Sequence, residues 1–176
     1  EPVKEDFDCK PQSPYGESKL LAEKEIEKEI EQGFDATILR FGTVYGWTIG
    51  MRFDTIIDRF TYLACIGSPL TVWESAVNEK RPYVHVKDAV RGLLFPLGKK
   101  MNGIYNIKGQ NALLGEVTGI IKEIIPTAKI TITPASKSQS SYTLDDSKIR
   151  QLGFKTEYTI EDGVKEIKDK FSVFIR

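Results

Sequence analysis

The stretch that decides the fold is Ser13-Pro14-Tyr15-Gly16-Glu17-Ser18-Lys19, at the start of a strongly helical region. Tyr15 and Lys19 are four residues apart, so on an α-helix they lie on one face about one turn apart. Tyrosine is a poor base at neutral pH because its ordinary pKa is about 10, but a fixed cation beside it favours the phenolate. The pair therefore indicates proton transfer to or from an alcohol. The alternative is a packed ring beside a solvated amine.

The residues around this pair predict one long helix followed by a strand. Ser13 can cap the helix, and Pro14 suits its first turn because proline lacks the N–H that would be unpaired there. Gly33 is the predicted stop, and residues 36–41 are typical of a buried parallel strand. Helical spacing of the following residues predicts a single stripe that packs inward: Tyr15, Lys19, Ala22, Ile26 and Ile30.

The rest of the chain alternates predicted helices and strands, which is the pattern of an α/β fold. A core-facing helix is predicted within 50–67, where Phe53, Ile57 and Phe60 follow helical spacing. A Ser-rich loop and two short helices are expected to close the chain. The remaining predicted elements are strands at 70–73, 83–86, 103–107 and 129–133, and helices at 86–97 and 113–125.

Composition limits the classes of partner. The 176 residues hold 25 basic and 25 acidic side chains, and this balance gives no electrostatic case for nucleic acid or an acidic membrane surface. No apolar run approaches the ~20 residues that span a bilayer. Cys9 and Cys65 could form one bridge, but no other feature indicates secretion, so we predict free thiols in the reducing cytoplasm and no metal site.

Further motifs follow the opening one in a fixed order. They are RFGTVYG at 40–46, KRPYVHVKDAV at 80–90, LDDSK at 144–148, LGF at 152–154 and TIEDGV at 159–164. Together with the Tyr15 motif and its Ala/Glu-rich helix, this series resembles the extended short-chain dehydrogenase/reductase superfamily. More narrowly, it resembles the NAD-dependent nucleotide-sugar epimerases and dehydratases.

The resemblance implies an α/β fold with two parts. Residues 1–46, with a strand and helix returning from about 83–109, would be the C-terminal part of a Rossmann-type parallel-sheet domain that binds NAD. Residues 47–176 would be mainly a small mixed α/β substrate-binding lobe. The chain contains no Gly-x-Gly-x-x-Gly turn for the dinucleotide pyrophosphate. We therefore expect a C-terminal fragment of a longer enzyme, inactive when isolated.

The resemblance also implies roles for single residues. Tyr15 would exchange a proton with a sugar hydroxyl while a hydride passes between the sugar carbon and the nicotinamide. Lys19 would lower the pKa of that tyrosine and bind the nicotinamide ribose, and Phe41 would contact the cofactor. The cofactor is expected to be NAD, with NADP left open, since the acidic residue that usually decides lies upstream.

Substrate contacts are expected from Thr43, Arg52 and Arg81, the arginines meeting phosphate. For Arg81 the alternative is a structural ion pair, with Asp88 as a candidate partner. The family usually has Asn at position 43 and Pro at position 47, where this chain has Thr and Trp. A phosphate-binding arginine expected near 136–140 is absent or replaced by Lys137.

The sequence is compatible with two other functions. One is an oxidoreductase acting on a non-sugar alcohol or carbonyl, and the other is a non-catalytic dinucleotide sensor. Retention of both Tyr15 and Lys19 argues against the sensor, which needs no proton-transfer pair. The expected partners are a nucleotide-sugar and a second copy of the chain, through the helix of Tyr15 and Lys19. His85, the one histidine, is expected to be structural.

Overall fold

The computed structural model describes residues 1–134 and 141–172, which form an α/β fold of alternating helices and strands. The helices are α1 (Pro14–Glu31), α2 (Ile56–Cys65), α3 (Val86–Leu94), α4 (Leu114–Ile124), α5 (Ser147–Gln151) and α6 (Ile160–Lys170), with a short 3₁₀ turn at Glu74–Ala76. The strands are β1 (Thr37–Phe41), β2 (Thr43–Tyr45), β3 (Leu70–Trp73), β4 (Lys80–His85), β5 (Gly103–Ile107), β6 (Gln110–Leu113) and β7 (Ile130–Thr133).

Helix α1 begins and ends where the sequence predicts. The Ser13 hydroxyl accepts a hydrogen bond from the Gly16 amide at 3.1 Å, and Pro14 is the first helical residue. At the other end Gly33 has φ +98°, and the Phe34 amide donates to the Glu29 carbonyl at 2.9 Å. This closure satisfies carbonyls that have no partner within the helix and favours glycine, which adopts positive φ at no steric cost.

Three small sheets connect the strands. Strands β1 and β5 pair in parallel, as do β3 and β7; β4 lies between parallel β2 and antiparallel β6. Parallel partners require crossover connections, and helices supply much of their length. The sequence predicted β1, β3, β5 and β7 and the end of β4. It missed β2 and β6, because three- and four-residue strands contain too few side chains for an alternation to be read.

The larger hydrophobic core lies where α2, α4 and α6 pack over β3, β4 and β6. Helix α6 approaches closely because residue 163 is glycine: a Cβ there would lie 2.5 Å from Cε2 of Tyr45. The fully buried side chains of the larger core include Ile57, Leu70, Tyr83, Val117, Ile121, Ile125, Ile160 and Val164.

A second, smaller core lies between the β1–β5 pair and the helices α3 and α5. Ile107 and Ile149 are fully buried there, and Phe154 stacks edge-on against Phe95 at a centroid distance of 5.3 Å. Gly92 of α3 lies over Ile107, and a Cβ at that position would come within 2.6 Å of the isoleucine Cδ1. The two cores share strand β4, which contributes Tyr83 to the larger core and Val84 to the smaller one.

The predicted inward packing of α1 is wrong for the described residues. No residue of α1 is buried, Tyr15 is 73% exposed and Ile26 is 39% exposed. The reason is that α1 neighbours β1, an edge strand of a two-stranded sheet, which gives the helix little surface to cover. The same position leaves Ile38 as the one buried residue of β1, so that strand is less buried than expected.

Two further expectations differ from the structure or lie beyond it. Phe53 precedes α2 and is 46% exposed, so it is not part of the core-facing helix, although Ile57 and Phe60 are buried there as predicted. Most of the Ser-rich stretch and Lys137 lie outside the described residues. Both cysteines are free: Cys65 is buried in α2 and Cys9 is half-buried.

Candidate active site

Tyr15 and Lys19 lie together on the first turns of α1. The Lys19 Nζ is 5.5 Å from the centre of the Tyr15 ring, and both side chains are exposed. The predicted geometry, one cation beside one phenol on a single helix face, is therefore present. An exposed pair of this kind can reach a ligand that lies on the helix, and it can move a proton there.

Helix α1 is held to β1 by one ion pair. The Arg40 Nη2 lies 2.6 Å from Glu23 Oε2, both side chains are mostly buried, and Arg40 Nη1 also donates to the Glu5 carbonyl at 3.1 Å. The hydrogen bonds that Arg40 donates to Glu23 raise the pKa of Arg40, outweighing the opposite effect of burial. Because Arg40 is fixed in the sheet, this contact orients α1 and its Tyr15.

The segment after β2 carries Arg52, one of the predicted substrate contacts. Arg52 is exposed and donates to Asp54, with an Nη2 to Oδ2 distance of 2.5 Å. That hydrogen bond raises the pKa of Arg52, and the Tyr15 hydroxyl adds a smaller contribution in the same direction. Arg52 lines a cavity of about 170 Å³ with Val44, Tyr45, Gly46, Thr48, Gly50, Met51, Thr55, Asp58 and Val86.

Asp58 is a buried carboxylate at the base of this segment. It is 3% exposed, and it accepts hydrogen bonds from the Gly46 amide and the Thr55 hydroxyl, each at 2.9 Å. Burial raises the pKa of Asp58 to about 6, an increase that the two hydrogen bonds oppose. Gly46 has φ +120°, and a Cβ there would lie 2.8 Å from His85 Nε2, so glycine is required.

An aromatic cluster of Trp47, Phe53, Tyr62 and Phe171 contacts the same segment from the other side. The Trp47 and Phe171 ring centres are 5.6 Å apart, and Phe53 and Tyr62 are 4.8 Å apart. Phe171 also meets Tyr62 at 5.0 Å. The tryptophan that replaces the usual proline at position 47 thus joins the segment to the end of α6.

A larger pocket of about 440 Å³ lies next to the segment and is lined by both apolar and charged side chains. Arg81 faces it and pairs with Glu79 at 3.8 Å, not with Asp88. Asp88 is fully buried and instead pairs with Arg91 at 2.7 Å, so the proposed Arg81 partner was wrong. The other lining residues are Asp54, Ile56, Arg59, Phe60, Leu63, Pro69, Thr71, Val72, Trp73, Ala76, Tyr83 and Leu114.

Tyr83 is a pocket residue that the sequence reasoning did not select. It is 1% exposed, and its hydroxyl has no hydrogen-bond partner within residues 1–134 and 141–172. Burial raises the pKa of Tyr83 to about 12. The signal available in the sequence was its position two residues after Arg81, which puts both side chains on one face of a strand.

His85 is fully buried at the end of β4. Its Nδ1 accepts a hydrogen bond from the Lys87 amide at 3.3 Å, so Nε2 carries the proton and donates to Glu166 at 3.1 Å. Its ring stacks on Tyr158 at 4.7 Å. Burial lowers the pKa of His85, against the effect of Glu166. These contacts agree with the predicted structural role.

The other predicted site residues are more dispersed. Thr43 begins β2 opposite Tyr83 of β4, between the two cavities. Phe41 packs against the second core, and its contact with a cofactor stays a prediction. Arg52 and Arg81 are linked through Asp54, which pairs with the first and lines the pocket of the second.

The described part of the chain contains neither a cluster suited to a metal ion nor a helix suited to a membrane. No group of three or more His, Cys, Asp or Glu in residues 1–134 and 141–172 is arranged to hold a metal ion. Within the same residues, no helix has the length and apolar character needed to cross a membrane.

A family model described as the NAD dependent epimerase/dehydratase family matches residues 1–107. The putative UDP-glucose 4-epimerase of Methanocaldococcus jannaschii is 28% identical over 170 residues, covering 94% of this chain and 55% of the relative. The chain spans about half the length of the curated relatives that it matches.

Solved structures have the same architecture. The UDP-glucose 4-epimerase of Thermotoga maritima, determined with UDP-glucose, matches with a TM-score of 0.84 at 27% identity, covering 98% of this chain and 57% of that one. The UDP-glucose 4-epimerase of Thermus thermophilus, in complex with NAD, matches with a TM-score of 0.82 at 23% identity, covering 98% and 58%. The second likeness concerns the fold alone.

Proposed function

This chain belongs to the NAD dependent epimerase/dehydratase family, and from that premise we propose that it supplies the proton-transfer pair and substrate pocket of an enzyme acting on a nucleotide-sugar. The observation behind the proposal is the Tyr15 and Lys19 pair, with the Lys19 ammonium 5.5 Å from the phenol ring on an exposed helix face. Whether the product is an epimer or a dehydrated sugar depends on contacts outside this pair.

Tyr15 would act as the general acid and base of the reaction. Its phenolate would accept the proton of a sugar hydroxyl, and the phenol would return it in the reverse direction. The Lys19 ammonium would stabilise the phenolate by charge, since an adjacent cation favours the ionised form. A group of this kind contributes roughly 10²–10⁴-fold to the rate.

The residues of this chain fit one end of a nicotinamide dinucleotide. The exposed Lys19 can donate hydrogen bonds to the hydroxyls of the nicotinamide ribose, on the face where Tyr15 would meet the substrate. When bound, NAD or NADP would accept a hydride from the sugar carbon and return it. No glycine-rich turn suited to the pyrophosphate occurs among the fourteen glycines of the sequence.

The pocket at Arg81 supports a substrate that is bound through a nucleotide group. Its walls include the side chains of Phe60, Leu63 and Trp73, which can cover a planar base, and the Arg81 guanidinium can bind a phosphate through two donors. Tyr83 brings a buried hydroxyl with no described partner, and buried polar groups are normally paired. Asp54, which pairs with Arg52, also lines this pocket, so the phosphate would have a second arginine on the adjoining segment.

The test is turnover of nucleotide-sugars by the full-length protein. UDP-, GDP-, CDP- and dTDP-linked sugars would be assayed with NAD and NADP for the unaltered protein, for Tyr15→Phe and for Lys19→Met. Lys24→Met is the matched control, because Lys24 is an exposed lysine of the same helix. We expect Tyr15→Phe to lower kcat at least about 100-fold, Lys19→Met to lower it less, and Lys24→Met to leave it unchanged.

Other outcomes would redirect the proposal. A cofactor response without any response to nucleotide-sugars would favour an oxidoreductase of non-sugar substrates or a dinucleotide sensor. Turnover that survives unchanged in Tyr15→Phe would remove Tyr15 from the mechanism.

A further inference from the structure

We propose that Asp58 is the positioning residue of the segment 46–55, and that it fixes the place of Arg52 within that segment. The proposal rests on the proposed function for its catalytic consequence, but its structural part is independent of it. Asp58 touches neither Tyr15 nor Lys19 in the described contacts, so it acts through the segment.

The geometry is a closed loop tied at both ends by a single carboxylate. Asp58 Oδ1 accepts from the Gly46 amide where the segment begins, and Asp58 Oδ2 accepts from the Thr55 hydroxyl where it ends, each at 2.9 Å. Asp58 itself is on the first turn of α2, a helix whose inner face is buried in the larger core. Both ends of the segment are therefore held by α2, which is anchored in the larger core.

The other described hydrogen bonds of the segment are local: the Met51 amide donates to the Thr48 carbonyl at 3.1 Å and the Thr55 hydroxyl to the Arg52 carbonyl at 3.3 Å. Ile49 is fully exposed, Gly50 has open space around it, and Arg52 and Asp54 pair with each other at the surface. On its outer side the aromatic cluster of Trp47 and Phe53 packs on Phe171. Those contacts bury side chains but fix no backbone group, whereas the Gly46 amide bond fixes the backbone directly.

The buried Asp58 carboxylate is the acceptor for two groups of the segment, the Gly46 amide and the Thr55 hydroxyl. Removing the carboxylate would leave the buried Gly46 amide without this acceptor and would leave the Thr55 hydroxyl only the Arg52 carbonyl, at 3.3 Å. The strand β2 would then end in an untied loop, because Gly46 adopts φ +120° and has wide conformational freedom without the bond. Arg52 would no longer be held in a fixed position.

A set of variants separates this role from a general loss of stability. Asp58→Ala removes both bonds. Asp58→Asn is the conservative replacement, since its carbonyl can accept from Gly46 and its amide can donate to the Thr55 hydroxyl. Thr61→Val is the matched control: Thr61 is fully buried in the same helix and donates within it, to the Ile57 carbonyl at 2.7 Å. Thr55→Val removes one of the two bonds to Asp58, together with the bond from the Thr55 hydroxyl to the Arg52 carbonyl, and serves if the alanine variant does not fold.

The structural readout is tryptic cleavage after Arg52 under native conditions, followed by mass spectrometry and referred to cleavage after the exposed Lys99. We expect Asp58→Ala to speed the Arg52 cleavage about tenfold or more, Thr55→Val to speed it less, and Asp58→Asn and Thr61→Val to leave it near the unaltered rate. Equal cleavage in Asp58→Ala and the unaltered protein would overturn the proposal. Equal acceleration in Thr61→Val would also overturn it, since destabilisation alone would then suffice.

The functional readout is steady-state kinetics of the full-length protein with its nucleotide-sugar. Asp58→Ala should raise KM about tenfold with a smaller fall in kcat, and Asp58→Asn should restore KM to within about twofold. Faster cleavage without any change of KM would overturn the link to Arg52 and substrate. Faster cleavage in a protein whose unaltered form turns over no nucleotide-sugar would instead overturn the proposed function and leave the tethering by Asp58 supported.

Discussion

At the scale of single residues, Tyr83 separates stability from binding. Its buried hydroxyl has no partner in the described chain, and such a group costs about 1–3 kcal/mol. We therefore expect Tyr83→Phe to keep or raise the free energy of unfolding, by about 1 kcal/mol, while weakening nucleotide binding. Chemical denaturation and calorimetric titration would measure the two quantities.

The comparison for Tyr83 is Tyr105→Phe. Tyr105 is also buried, but its hydroxyl donates to the Asn102 carbonyl at 3.5 Å, and it lies in the smaller core away from the pocket. This variant should lose a little stability and keep its affinity. A large loss of stability in Tyr83→Phe would mean that the hydroxyl has a structural partner.

His85 gives a pH dependence whose sign follows from its burial. Burial lowers the pKa of His85 below 6.5, so the unfolded chain binds the proton more readily than the folded chain. The stability is complete above pH 6.5 and is lost as pH falls through the lowered pKa, by at most about 1.4 kcal/mol per pH unit. Denaturation of the unaltered protein and His85→Gln between pH 7.5 and 5 would measure it, the variant being flatter.

Asp58 acts with the opposite sign. Its pKa rises from 3.8 to about 6 on folding, so its contribution to stability is complete below pH 3.8 and is lost as pH rises through 6. Asp58→Asn should therefore remove a gain of stability that the unaltered protein makes below pH 6. If both variants left the pH profile unchanged, neither group would titrate differently in the folded state.

At the scale of elements, the Arg40 to Glu23 pair is the main described side-chain link between α1 and β1. Both side chains are 19% exposed and 2.6 Å apart, so a hydrogen bond to a charged group is lost when either is removed. We expect Arg40→Gln to lower the free energy of unfolding by about 1.5–3 kcal/mol, and to lower kcat as α1 shifts. Lys28→Gln, which breaks an exposed pair with Glu25 on the same helix, should cost less than about 1 kcal/mol.

The exposed face of α1 suits the homodimer that the family resemblance implies. Leu21 on this helix is 62% exposed, and Phe34 just beyond it is 61% exposed. If α1 forms the contact, Leu21→Asp should weaken dimerisation of the full-length protein at least about tenfold, because burying an unpaired charge is costly. Light scattering after gel filtration would measure it, and an unchanged mass would exclude α1 from the contact. Leu97→Asp is the control, because Leu97 is also an exposed leucine, at 70%, and lies outside α1.

At the scale of the whole molecule, the sequence lacks the element that grips a dinucleotide pyrophosphate. The chain of 176 residues contains the Tyr15 and Lys19 pair but no Gly-x-Gly-x-x-Gly. We expect this isolated chain not to bind NAD at micromolar concentration in calorimetric titration. Micromolar binding would mean that another part of the chain supplies the missing donors.

The sequence predicted the elements whose side chains repeat over a turn or more, and the pair that lies within a single helix. It could not predict Asp58 or Tyr83 as site residues, because their meaning depends on partners that are brought near only by folding. The Asp58 bond to Gly46 spans a loop, and the Tyr83 pocket is walled by α2, β3 and α4. The prediction that one face of α1 packs inward was wrong for the same reason. Periodicity shows which residues share a face of the helix, but not whether another element covers that face.

The pairing of the strands has a consequence for how the chain acquires its structure during synthesis. Among the described strands, none pairs with its immediate neighbour in sequence. Strand β1 pairs with β5, β2 with β4, β3 with β7 and β4 with β6. The Leu70 position of β3, for example, meets Ile130. Such distant contacts make folding slow. When synthesis has passed Lys100, only the β2–β4 ladder has both of its strands. The nascent chain therefore exposes unpaired strand edges for much of its translation.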